Sequence, residues 1–201
     1  MFSRQHLNNI RHAIVDRDGV INEESPTGYI LSPEEFIWID GAIRAMAMLV
    51  TSGIEVSVAT NQSCVGRGLI DEAGLDRIHD RMKKEASGAG VSFGSIVFCP
   101  HLPEDNCGCR KPAPGLLENA IRKSRFPAPE TVFIGDADRD LQAAAAAGIT
   151  SVLVRTGKGA DTEKNLKKGL IRGVYPENVV VFGDLLSACR AIIAANQGPG
   201  K

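Results

Sequence analysis

Residues Ala13-Ile14-Val15-Asp16-Arg17-Asp18-Gly19 lead three apolar side chains straight into two carboxylates and a glycine. A short apolar run of this kind suits a buried strand. Asp16 and Asp18, at i and i+2, leave that strand into a glycine turn, so both can face one ligand. A carboxylate is already anionic near neutral pH and can attack phosphorus. Its neighbour can protonate a leaving oxygen and then activate water. Gly19 relieves crowding where the backbone turns. The same four residues can also serve as an ordinary turn cap, so the reading depends on the rest of the chain.

Outward from this segment, short strands and helices alternate. Strands are predicted at 13–15, 54–60, 95–99, 131–134, 151–154 and 178–182. Helices are predicted at 41–51, 71–86, 114–124, 138–147 and 185–195. In the second helix Leu75, Ile78 and Met82 form one stripe, with charges opposite. The alternation predicts an α/β fold: a three-layer Rossmann-like core with a mainly parallel sheet. Residues 10–195 read as a single domain, with Pro127–Pro129 as a loop and the lysine- and glycine-rich 156–173 as a solvated connection. Ligands of such sheets lie beyond the carboxyl ends of the strands. Asp16, Thr60 and Asp136 fall there.

The 201 residues carry 23 Lys plus Arg against 24 Asp plus Glu, a formal net charge of −1. That balance argues against a nucleic-acid partner. An anionic small substrate has to be held by a local basic cluster. No apolar stretch approaches the roughly 20 residues needed to cross a bilayer. Met1-Phe2-Ser3-Arg4-Gln5-His6 lacks a hydrophobic signal region. The expectation is a cytoplasmic monomer with no membrane partner.

Cys99, His101, Cys107 and Cys109 sit within eleven positions, directly before Arg110-Lys111-Pro112. Three thiolates and one imidazole make a closed tetrahedral shell for Zn²⁺, the composition of a structural site. Iron is the alternative metal. Such a clip would staple loop 99–109, which has little apolar mass of its own, and would orient Arg110 and Lys111. Cys189 lies at helical spacing from Leu185, Leu186, Ile192 and Ile193 and reads as a small buried apolar residue. Cys64 lies in a polar loop and is given no catalytic role.

Gly135-Asp136 puts a third carboxylate at a strand end, where it can help hold Mg²⁺ against phosphate and crowded acids. Asp138 reads as a helix N-terminal residue favoured by the dipole. Asp140 either steadies the metal loop or touches a bound water. Thr60 can donate to a phosphoryl oxygen, and Lys111 can cancel charge on the transferring group. Arg110 can grip a second anionic group with its planar fork. Substrate selection falls to loops 22–32, 64–69 and 101–110. There Asn22, Glu23, Ser63, Arg67 and Arg110 are candidates for substrate hydroxyls or a second anionic group, with Arg67 alternatively capping a surface loop.

The ordered set Asp16-Arg17-Asp18-Gly19, Thr60-Asn61-Gln62, Arg110-Lys111-Pro112 and Gly135-Asp136 resembles the four motifs of the haloacid dehalogenase superfamily. A narrower likeness, over about residues 12–159, is to its histidinol-phosphate and heptose-bisphosphate phosphatase branch. It includes Gly28-Tyr29, Phe36, Asp40-Gly41, Asn61-Gln62-Ser63, Arg67-Gly68, Pro114-Gly115 and Val154-Arg155-Thr156-Gly157-Lys158. The resemblance implies a core with a minimal cap and Mg²⁺-dependent phosphomonoester hydrolysis through an aspartyl phosphate. It implies Asp16 as nucleophile and Asp18 as general acid/base. Mg²⁺ would be held by Asp16, the backbone carbonyl of Asp18, and Asp136. Thr60 and Lys111 would bind the phosphoryl group, Arg110 the far end of the sugar phosphate, and Asn61 would join the substrate-binding set.

The substrate so implied is a small phosphorylated sugar, with D-glycero-D-manno-heptose 1,7-bisphosphate losing its 7-phosphate. Histidinol phosphate and other phosphosugars or polyol phosphates are the alternatives. A zinc-stapled binding domain without activity would fit the loss of Asp16 or Asp18, and both are present. A phosphotransferase passing the group to an alcohol stays open. Two departures from the branch stand out: Val20 replaces a usual Thr, and Ala137 stands where Lys is common, so one phosphate-side cation is missing. The short spacing of the cysteine loop is nearer to the histidinol-phosphate enzymes.

Overall fold

In the computed structural model, which describes residues 7–198, six strands alternate with seven helices. The reading of residues 1–6 lies outside the described part. The strands are β1 (His12–Val15), β2 (Glu55–Asn61), β3 (Phe93–Cys99), β4 (Thr131–Gly135), β5 (Thr150–Val154) and β6 (Val179–Phe182). The helices are α1 (Ala42–Thr51), α2 (Ser63–Gly66), α3 (Glu72–Ser87), α4 (Gly115–Lys123), α5 (Asp138–Ala146), α6 (Gly159–Lys167) and α7 (Leu185–Asn196). All neighbouring strands pair in parallel, in the order β3-β2-β1-β4-β5-β6. The order reverses beside β1, which opens a crevice at the carboxyl ends of β1 and β4.

The strands read as apolar runs because both sheet faces are covered. Successive side chains point to opposite faces. Ala13, Val15, Val56, Val58, Val132 and Ile134 therefore share one core with Met46 of α1, Ile78 of α3 and Cys189 of α7. Ile14, Ala59 and Phe133 share the other with Leu117 of α4 and Ala143 of α5. Side-chain caps fix two helix starts: Asp71 accepts from the Gly74 amide and Asp184 from the Ser187 amide, each at 2.7 Å. Between β1 and α1, the described chain holds isolated bridges and a single 3₁₀ turn, Pro33–Glu35, and no cap domain. Buried Phe36, edge-on to Trp38 at 5.1 Å, anchors that segment.

Two local expectations are corrected, and one loop gains a defined turn. Segment 156–173 is not a plain solvated connection: it contains α6, and Leu166 and Ile171 are buried with Leu141, Leu153, Val174 and Val179. Its lysines lie on the outside and mask a short apolar stripe. Cys64 is fully buried within α2 rather than in a polar loop. The proline-rich loop forms a 3₁₀ turn at Ala128–Glu130.

Candidate active site

β1 and β4 end level, with Val15 opposite Ile134 and the Asp16 amide donating to the Ile134 carbonyl at 2.9 Å. Asp16 and Asp136 are thereby delivered to one crevice. One oxygen each from Asp16, Asp136 and Asp140 lie within 4.8 Å of one another, and all three residues are buried. Lys111 Nζ stands 2.9 Å from Asp16 Oδ1, 2.8 Å from Asp140 Oδ1 and 3.0 Å from the Ala59 carbonyl oxygen. Burial disfavours its charge, but Asp140 and Asp16 outweigh that and raise its pKa, so it stays an ammonium. Asp140 Oδ2 also accepts from the amides of Asp136 and Ala137, at 3.2 and 3.0 Å. Of the two roles open to it, steadying the loop is the one the hydrogen bonds describe.

Even with the Arg139 guanidinium acting on them, three acids around the Lys111 ammonium are short of positive charge. Burial pushes the Asp16 carboxyl up to about 6; Lys111 opposes this and Asp140 reinforces it. Asp136 is pushed up to about 8 by burial, then by Asp140 and Asp16. Asp136 Oδ2 accepts from the Lys158 amide at 2.8 Å, while Oδ1 is buried with no hydrogen-bond partner among the described residues. An all-oxygen donor set with an orphaned carboxylate oxygen fits a hard divalent cation such as Mg²⁺. Gly19 and Gly157 make the close approach possible. Both have positive φ, and a Cβ on either would fall 2.3 or 2.2 Å from Asp136 Oδ2.

Asp18 faces donors on every side. Arg17 donates from Nε at 3.2 Å and from its NH2 nitrogen to both oxygens at 2.9 and 3.0 Å. Asn22 Nδ2 adds a bond at 3.0 Å and Gln62 Nε2 one at 2.8 Å. Burial opposes ionisation here, but the Arg17 guanidinium and the Asn22 and Gln62 amides outweigh it, so the Asp18 pKa is lowered. Gln62 Nε2 also donates to Thr60 Oγ1 at 2.8 Å, tying the end of β2 to the same cradle. Arg17 is fully buried and reaches His79 Nε2 at 3.3 Å; burial holds that imidazole near a pKa of about 3.

In the cysteine loop, Cys99 Sγ lies 3.5 Å from His101 Nδ1, 3.6 Å from Cys107 Sγ and 3.2 Å from Cys109 Sγ. His101 Nδ1 and Cys107 Sγ lie 3.3 and 3.4 Å from Cys109 Sγ. Tetrahedral zinc bonds would space these donors roughly 3.5–3.8 Å apart, close to what is seen. Burial and the neighbouring Cys109 push the Cys99 thiol up to about 12. At Cys107 burial is outweighed by the Arg110 amide and the neighbouring thiols, and the pKa falls to about 7. A soft, closed set of one nitrogen and three sulfurs fits zinc.

Several residues expected at the substrate are occupied elsewhere. Asn61 spends its amide on Lys111: Nδ2 donates to the Lys111 carbonyl at 3.0 Å, and Oδ1 accepts from the Lys111 amide at 3.1 Å. Asn22 is fully buried and holds Asp18 and the Glu23 carbonyl. Ser63 is buried at the start of α2. Arg67, at the end of α2, is exposed. Arg110 NH1 donates to the His101 carbonyl at 3.1 Å, and Arg110 lines a cavity of ≈ 280 Å³ with Asn106, Cys107 and Lys111. Arg17 and Gln62 went unassigned in the sequence reading, although both lie inside quoted motifs. A second cavity of ≈ 210 Å³ opens beside Asp18, lined by Glu24, Tyr29 and Lys158 among others.

A HAD-hydrolase-like family model matches residues 108–172. The D-glycero-beta-D-manno-heptose-1,7-bisphosphate 7-phosphatase of Pseudomonas putida is 42% identical over 180 residues, covering 90% of this chain and 98% of its own. The Bordetella bronchiseptica enzyme of the same name is 39% identical, covering 90% and 96%. The crystal structure of the B. bronchiseptica D,D-heptose 1,7-bisphosphate phosphatase with magnesium and phosphate superposes with a TM-score of 0.84 at 38% identity, covering 92% and 99%. With a doubly wound core, three converging carboxylates and likeness along nearly its whole length, this chain belongs to the D-glycero-β-D-manno-heptose-1,7-bisphosphate 7-phosphatase family of HAD-like phosphoric monoester hydrolases.

Proposed function

We propose that this protein removes the 7-phosphate of D-glycero-D-manno-heptose 1,7-bisphosphate through an aspartyl phosphate on Asp16. The observation that carries the mechanism is Lys111 Nζ, held between Asp16 and Asp140, whose carboxylates gather with that of Asp136. A carboxylate oxygen of Asp16 forms a bond to phosphorus as the bond to the sugar oxygen breaks. Asp18 gives that oxygen a proton. Water then attacks phosphorus, the Asp16–phosphorus bond breaks, and Asp18 takes the proton back. The donors around Asp18 favour its carboxylate, the form needed to accept a proton from water. Lys111 and Thr60 stabilise charge on the phosphoryl oxygens.

Asp16, Asp136 and the backbone carbonyl of Asp18 would hold Mg²⁺. When bound, that ion supplies charge neutralisation of the phosphoryl group and of the crowded carboxylates. Cys99, His101, Cys107 and Cys109 would hold a structural zinc that fixes the loop carrying Arg110 and Lys111. Arg110 recognises the remote phosphate, and Arg67 and the walls of the cavity beside Asp18 contact the sugar. Asn22, Asn61 and Ser63 act behind this layer, on Asp18, Lys111 and the start of α2.

We read residues 10–195 as one domain working as a cytoplasmic monomer. A thiolate metal clip suits a reducing compartment. No described helix is long and apolar enough to cross a membrane. The relatives favour the heptose substrate over histidinol phosphate. A phosphate-release panel followed by ³¹P NMR tests the assignment. Heptose 1-phosphate is the expected product of the bisphosphate, and a clear preference for histidinol phosphate would overturn the substrate.

A further inference from the structure

One half-buried cation just after the end of β4 has no part in the mechanism above. Arg139 stands in the first turn of α5. Its neighbour Asp138 accepts from Asn165 Nδ2 at 3.0 Å, and Asp140 on its other side is engaged by Lys111 and two backbone amides. Arg139 Nε is buried without a hydrogen-bond partner, and its guanidinium forms no ion pair with any described side chain. It follows Asp136 at the end of β4 by three positions and adjoins Asp140, and the charges acting on it are the carboxylates of Asp140, Asp16 and Asp136, followed by Glu24. Glu24 is itself bridged by Lys158 Nζ. An arginine kept only to balance those acids would put its donors on them. This one leaves its Nε unpartnered close to the carboxylates around the nucleophile, two positions after an Ala137 that offers no charge.

We propose that Arg139 is a second phosphoryl-binding cation, whose unused N–H groups donate to an oxygen of the phosphate carried at Asp16. The inference rests on the phosphatase reading. A planar fork suits phosphate oxygens better than a point charge, and a charge-assisted hydrogen bond is shorter and stronger than a neutral one.

The test measures inorganic phosphate binding to the Mg²⁺-loaded protein by calorimetry for wild type, Arg139→Lys and Arg139→Met, with Mg²⁺ affinity and melting temperature alongside. Arg139→Met is expected to weaken phosphate roughly tenfold or more. Lysine is expected to restore part of that loss while the melting temperature stays near wild type. Unchanged phosphate affinity in Arg139→Met overturns the inference. So does tighter Mg²⁺ binding with unchanged phosphate, which would mark a mere balancing charge. If the methionine variant does not fold, Arg139→Lys decides alone, since phosphate affinity equal to wild type overturns the proposal. Wild type that neither binds phosphate nor releases it from the heptose bisphosphate fails on the catalytic reading as well. Wild type that does both, with variants that match it, fails on Arg139 only.

Discussion

Asp16→Asn keeps the shape of the nucleophile and removes one of three crowded negative charges. Turnover is expected to vanish while the melting temperature holds or rises, as read by phosphate release and a melting curve. Wild-type turnover in that variant would remove Asp16 from the covalent role. The raised carboxyls also set a pH dependence. Asp16 near about 6 and Asp136 near about 8 bind protons more tightly folded than unfolded. Their contribution is therefore fully present below the unfolded carboxylate range, near pH 4, and is lost as pH rises through those folded values. The protein without Mg²⁺ is expected to lose stability between about pH 5 and pH 8, and added Mg²⁺ to raise the melting temperature more at pH 8 than at pH 5. An equal shift at both values would mean that the ion does not titrate with these acids. Asp16, Asp18 and Asp136 were legible in the sequence because they follow predicted strands, and Lys111 because it follows the cysteine cluster directly. Asn22, Asn61 and Gln62 were not. A sequence tells that an amide can hydrogen-bond, but not whether its partner is Asp18, the Lys111 backbone or a substrate. Arg139 was hidden among the acids of its own helix turn.

At the scale of elements, the central strands β1 and β4 came through because both their faces are buried and leave apolar runs, while edge strand β3 is only partly buried and starts two residues before its predicted position. α6 did not, because a single stripe through Thr162 and Leu166 is outnumbered by lysines and glycines. Its burial depends on Leu141, Leu153 and Val179, which are distant in sequence. The cysteine loop is the opposite case: four donors at close spacing announce themselves, and the backbone brings them to near-tetrahedral separation. Arg110 and Lys111 follow directly after Cys109, so the cysteine cluster and the Lys111 ammonium sit on one loop. Cys107→Ser is expected to lower bound zinc and the melting temperature together, and to reduce turnover by loosening Lys111. Elemental analysis and a thermal melt check this. Unchanged zinc content would take Cys107 out of the shell.

For the whole molecule, the reversal of strand order beside β1 creates the crevice, and level strand ends put Asp16 and Asp136 at its floor. No cap domain covers it among the described residues, and loops 22–32, 64–69 and 101–110 are the ones proposed to select substrate. The fold class could be read from strand–helix alternation alone. The substrate came from the resemblance of the ordered motifs and not from spacing, because the sequence leaves the paths of the loops around the crevice open. The most direct measurement of the central claim is a rapid acid quench of the Mg²⁺-loaded enzyme during turnover of D-glycero-D-manno-heptose 1,7-bisphosphate, followed by peptide mass spectrometry. The account predicts a phosphoryl group on the peptide holding Asp16, with heptose 1-phosphate accumulating in solution. Steady release of phosphate with Asp16 never modified would contradict it.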